Sequence, residues 1–162
     1  MNRGRNKILA GWVLSGALLL AGVRSFAGET VSSLLTDRSR PDGVVFEIVS
    51  DDDDLLEDLL PALANDIERL RKAWPGLPIA IVSHGREQFL LATKNRKEAE
   101  DAHSLVKQLM NEKKVDVHVC GTHAGWYGMA PEDFPDYVDV TTTGPAQIND
   151  YEEMGYTLIV LP

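Results

Sequence analysis

The chain has 162 residues, 44% of them hydrophobic, with 16 Lys and Arg against 25 Asp and Glu and a formal charge of −9. That balance argues against nucleic acid and anionic membrane surfaces as partners, because both are held by basic patches. One cysteine, Cys120, rules out an internal disulfide and leaves a thiol that is either packed away, paired with another chain, or chemically used.

The first 27 residues read as an export signal. Arg3, Arg5 and Lys7 precede an uncharged run from Ile8 to Val23, and Ser25-Phe26-Ala27 supplies the small residues a signal peptidase needs, so cleavage after Ala27 is expected. The apolar run is shorter than the roughly 20 residues of a spanning helix, so no stable membrane anchor is expected. Removing residues 1–27 takes away four basic residues and no acid, which leaves 12 basic against 25 acidic residues and a formal charge of −13. The expected location is the periplasm or the exterior. The remaining length suits one domain with one core.

Residues 28–42 are polar, lack a sustained apolar period and read as a flexible lead-in. Val44 to Val49 is a β-branched and aromatic run of strand length, ended by the acids Asp51 to Asp54. From Leu56 apolar residues recur at Leu60, Leu63, Ile67, Leu70 and Trp74, the stripe of an amphipathic helix. Because Pro61 is best tolerated in a first turn, that helix is expected to begin near Asp58, and Pro75-Gly76 stops it. Leu77 to Val82 predicts a second strand covered on both faces.

Beyond a variable stretch, Arg96 to Lys113 predicts a second helix and Val115 to Val119 a third strand. The glycines Gly121, Gly125 and Gly128 and the segment Pro131 to Pro135 predict a loop with a short helix, and Val138 to Val140 a short strand. Gly144-Pro145 opens a third helix, with Gln147 where a capping side chain would sit, and Thr157 to Leu161 forms the last strand. The alternation predicts an α/β domain over residues 43–162, with a mostly parallel five-stranded sheet and helices on both faces. In such sheets the functional crevice lies at the carboxyl ends of the strands.

Three polar segments fall at those ends: Ser83-His84-Gly85, Cys120-Gly121-Thr122-His123 and Thr141-Thr142-Thr143-Gly144. Cys120 is the reactive candidate, because a neighbouring imidazolium favours thiolate, and His123 and His118 flank it. His84 is a candidate binding or acid/base residue, and Gly121, Thr143 and Gly144 offer main-chain amides to an anion. His118 and Cys120 alternate on one strand face, yet no second ligand cluster accompanies them, so no metal and no tightly bound cofactor is expected. Trp126 and Tyr127 suit a lid or a contact between subunits.

Taken together, His-Gly after the second strand, Val-x-Val-Cys-Gly ending the third, the Pro-Glu-Asp-Phe loop, and Gly-Pro-Ala-Gln-Ile leading to Glu-x-Gly-Tyr before the last strand are similar to the DsrE/DsrF-like family. The resemblance runs from about Val44 to Leu161. It implies a small α/β fold assembled as a trimer or hexamer. For the sulfur-relay branch it implies a persulfide carried on the residue matching Cys120, exchanged with sulfur donor and acceptor proteins. A second reading is a non-catalytic homo-oligomeric binding or assembly module in which Cys120 is structural.

Overall fold

A computed structural model describes residues 29–161. The signal-peptide reading and its cleavage point after Ala27 lie outside the described residues. Five strands, β1 (Gly43–Ile48), β2 (Ile79–Ser83), β3 (Val115–Cys120), β4 (Asp139–Thr141) and β5 (Tyr156–Leu161), form one sheet in the order β4-β3-β2-β1-β5. Every neighbouring pair is parallel.

The order explains where the helices go. From β1 through β4 the chain steps in one direction, so right-handed crossovers put the connecting helices α2 (Leu55–Ala73) and α3 (Glu100–Asn111) on one face. The chain then jumps from β4 across the sheet to pair β5 with β1, and the reversed step puts α5 (Gly144–Glu153) on the opposite face. Burial follows the two-residue period of a strand. Val44, Phe46 and Ile48 of β1 join the core beneath α2 and α3, whereas Val45 packs with Ala80, Val82 and the α5 residues Ile148 and Tyr151.

Several element boundaries differ from the sequence reading. Helix α2 starts a turn early, which leaves Pro61 inside the helix rather than in its first turn. Leu56, only 1% exposed, anchors that extra turn, and Glu57 and Asp58 lie at its positive end. β2 starts at Ile79 rather than Leu77, since Pro78 has no N–H and contributes only a carbonyl, which accepts from Val44 N at 3.0 Å. Residues 86–91 and 93–95 form 3-10 turns, and the non-helical Ala99 delays α3 to Glu100.

The lead-in is also more ordered than its composition suggests. Within it lies a seven-residue helix, α1 (Val31–Asp37), capped reciprocally by Thr30 and Ser33, whose Val31 and Leu34 are buried in the main core. Val31, Leu34 and Leu35 are too few to register as a period, so tertiary burial rather than pattern specifies this turn. At the other end Thr143, not a Gln147 cap, closes α5: its Oγ1 accepts from Ala146 N at 3.2 Å. Gln147 instead accepts from Thr141 Oγ1 at 2.9 Å.

Ile67 sits at the centre of the α2 stripe and is fully buried against the sheet. Ile67→Ala removes buried methyl groups and leaves a cavity, so equilibrium urea unfolding is expected to show a loss of roughly 2–5 kcal/mol with an unchanged m-value.

Candidate functional site

Cys120 is the last residue of β3 and the N-cap of α4 (Gly121–Trp126), and it is 5% exposed. Its Sγ accepts the main-chain N–H of His123 at 3.4 Å, and its own N–H donates to Oε1 of Gln88 at 2.7 Å. The thiol is thus held where a strand turns into a helix, with an amide pointed at the sulfur.

The loops around it are drawn together by main-chain contacts. The Thr142 carbonyl accepts from both N and Oγ1 of Thr122, at 3.0 and 2.7 Å, tying α4 to the segment after β4. Gly121 is needed for that approach, since a Cβ there would lie 2.9 Å from the Thr141 carbonyl and 3.2 Å from Val140 Cγ1. Gly144 has the same role toward His84, whose Cβ would lie 2.5 Å from an added one. These two glycines therefore serve close packing of the rim, and Thr143 serves as a helix cap.

The histidines divide into different settings. His123 donates through Nδ1 to the His84 carbonyl at 2.7 Å, which assigns the hydrogen to that nitrogen because a carbonyl can only accept. Phe89, Trp126 and Tyr127 surround its ring, with centroids 5.5, 5.6 and 5.3 Å away. His84 places Nε2 2.8 Å from Glu47 Oε1. His118 points its Nε2 at the Tyr151 hydroxyl, 2.8 Å away, and among the described residues it makes no hydrogen bond to Cys120. Cys120, His123, His84 and Gly144 thus come together, while His118 belongs to a buried pair with α5.

Residues that the sequence reading did not single out complete the rim. Glu87 is fully buried: Oε1 accepts from Ser83 Oγ at 2.7 Å and Gly85 N at 2.9 Å, and Oε2 from Ser50 N at 2.7 Å. Gly85 has no room for a Cβ, which would strike Glu87 and the Ser50 backbone. Gln88 is fully buried as well. Asp53 and Arg86 form a two-pronged exposed pair at 2.9 and 2.6 Å, and that hydrogen-bonded guanidinium lowers the Asp53 pKa. A groove of about 410 Å³ runs beside it, lined by Phe89 and Tyr127 and by the acids Asp54, Glu57 and Glu98. Glu47 carries a signal of its own, as an acid within the otherwise apolar run of β1. Glu87 and Gln88 lie in a 3-10 turn with no periodicity to mark them.

The fold and the rim define a class: a parallel α/β domain presenting one cysteine at the end of its third strand. The sequence profile of the DsrE/DsrF-like family matches residues 59–161, and the chain belongs to that family. No functionally curated protein matches it. Among solved structures it is similar to MTH1491, a protein of unknown function from Methanobacterium thermoautotrophicum. That match has 22% identity and a TM-score of 0.57, and covers 73% of this chain and 97% of that one. It is also similar to BT1422, a conserved protein of unknown function from Bacteroides thetaiotaomicron, with 15% identity, a TM-score of 0.51, and 74% and 95% covered. At these identities the neighbours support the fold alone.

Burial lowers the pKa of His118, and likewise of His103, whose Nε2 donates to the Leu90 carbonyl at 3.0 Å while its Nδ1 lies 2.6 Å from the Tyr137 hydroxyl. The folded state therefore resists protonation at pH values where the unfolded chain, titrating near 6.5, takes up protons. Stability from these residues is present above that pH and is lost as pH falls below it. Unfolding free energy is expected to drop between pH 7.5 and 5.5, and His118→Gln or His103→Gln should flatten the slope, as read by urea titrations across the range.

Proposed function

We propose that this chain is an exported, homo-oligomeric sulfur-trafficking protein in which Cys120 carries one sulfane sulfur as a persulfide and passes it to a partner protein. The observation that carries this reading is the His123 N–H directed at Cys120 Sγ, because a donor to sulfur is strengthened when the sulfur becomes anionic. In the loading step the Cys120 thiolate attacks the outer sulfur of a donor. The Sγ–S bond forms, the donor's S–S bond breaks, and its electron pair leaves with the shortened donor. In the delivery step a thiolate of the acceptor takes the outer sulfur and Cys120 leaves as thiolate. The chemistry needs no bound cofactor.

Family membership supports the assembly part, as do Trp126 and Tyr127, 77% and 54% exposed beside the site, which a trimer or hexamer would cover. The basic n-region, apolar run and Ser25-Phe26-Ala27 support export. Among the described residues no helix is long and apolar enough to cross a membrane. Mass spectra of the protein recovered from outside the cytoplasm, taken under native and then denaturing conditions, are expected to show a multiple of the subunit mass and an N-terminus at Gly28. A full-length monomer would remove both parts.

One observation favours the non-catalytic assembly module instead, namely the low exposure of Cys120. Thiol chemistry separates the two readings. Incubation with a sulfane-sulfur donor is expected to add one sulfur atom that reductant removes, and Cys120→Ser should gain none. Alkylation of Cys120 that needs denaturant, together with no sulfur uptake, would establish the module reading.

A further inference from the structure

Gln88 lies in the 3-10 turn after β2 and is fully buried, with Oε1 accepting from Cys120 N at 2.7 Å. A main-chain N–H only donates, so the side-chain amide cannot be flipped: oxygen faces Cys120 and nitrogen is the atom left over. That Nε2 is the one buried side-chain polar atom without a hydrogen-bond partner among the described residues. An apolar side chain of similar length would leave the Cys120 N–H without its acceptor, which accounts for the amide's oxygen but not for the unsatisfied donor buried with it. The amide's cost therefore calls for an explanation beyond packing.

Its location supplies one. Oxygen and nitrogen of a carboxamide share a carbon, so the free donor lies in the same shell of atoms as the Cys120 main chain, at the residue whose Sγ already takes the His123 N–H at 3.4 Å. A neutral thiol offers such a donor a weak acceptor, whereas an anionic sulfur offers a strong one.

Resting on the sulfur-carrier reading, we propose that Gln88 is a binding residue of the Cys120 site, whose Nε2–H is held ready for the terminal anionic sulfur of the Cys120 persulfide. Oε1 fixes the Cys120 main chain and Nε2 receives the charge that loading creates, so one buried side chain both positions the thiol and selects an anionic adduct. With an inorganic polysulfide as donor, the Cys120 thiolate bonds to an outer sulfur and the adjoining S–S bond breaks. A polysulfide dianion one sulfur shorter leaves with the electron pair. Cys120 is left as a persulfide anion, and Gln88 supplies its hydrogen bond.

The test loads the purified protein with sodium polysulfide, removes the excess, and follows the single added sulfur by mass. Cyanide then measures how long the sulfur is held, since it takes the outer sulfur as thiocyanate and returns the thiolate. Gln88→Met removes both functions of the amide. Gln88→Glu keeps an acceptor for the Cys120 N–H and removes the amide donor. Both are expected to hold at least tenfold less sulfur, or to lose it at least tenfold faster, while thermal unfolding stays cooperative. If Gln88→Met does not fold, Gln88→Glu carries the test by itself. Wild-type loading and lifetime in Gln88→Glu would overturn the proposal and leave the carrier reading standing. Absence of any loading in the native protein would overturn both.

Discussion

Main-chain amides at the carboxyl ends of β1, β2 and β3 need acceptors once the sheet stops pairing them, and two adjacent buried side chains supply these. Glu87 takes the amides of Ser50 and Gly85 together with the Ser83 hydroxyl, and Gln88 takes the amide of Cys120. Three strand ends are therefore joined through residues 87 and 88. Unsatisfied buried donors would destabilise any other arrangement, and this is what fixes the strand ends as a rigid rim. The position of Cys120, the packing of Gly85 and the orientation of His84 over Gly144 follow from that junction.

The remaining contacts refine the geometry. Thr122 and Thr142 close the gap between α4 and β4, and the His123 ring, wedged among Phe89, Trp126 and Tyr127, ties α4 back to the His84 carbonyl. Cys120 is nearly buried at the start of the short helix whose His123 joins this aromatic cluster. The main-chain donor to its sulfur comes from the same short helix that it caps. His118 shares the strand face but is turned to Tyr151, so what flanks Cys120 in sequence is not all placed beside it in space.

The strands and the long helix were legible because their signals are additive: β-branched runs for β1 to β3, and the stripe Leu56 to Trp74 for α2. The site was legible as far as topology carries it, since Cys120, His84 and Gly144 fall at strand ends that a parallel sheet must gather. The pieces held by single contacts were not legible. Glu87 and Gln88 matter because each is buried at one place in a 3-10 turn, and α1 is held by Val31, Leu34 and Leu35. Pro61 misled because a local preference for the first turn yielded to the burial of Leu56. Whether a histidine beside a cysteine in sequence serves the thiol depends on partners more than thirty residues away, as with His118 and Tyr151.

The pairing of β5 with β1, from Gly43 opposite Tyr156 to Ile48 opposite Leu161, joins the two ends of the domain. β1, whose residues enter both cores, is thus flanked on one side by the last strand of this sheet. Such a sheet has high contact order: a long loop must close before its most distant pairing contributes anything. During synthesis the chain cannot complete its sheet until residues 156–161 are free. Until then the edge of β1 that pairs with β5 is open. Timing of folding, and not only final stability, is therefore written into the strand order.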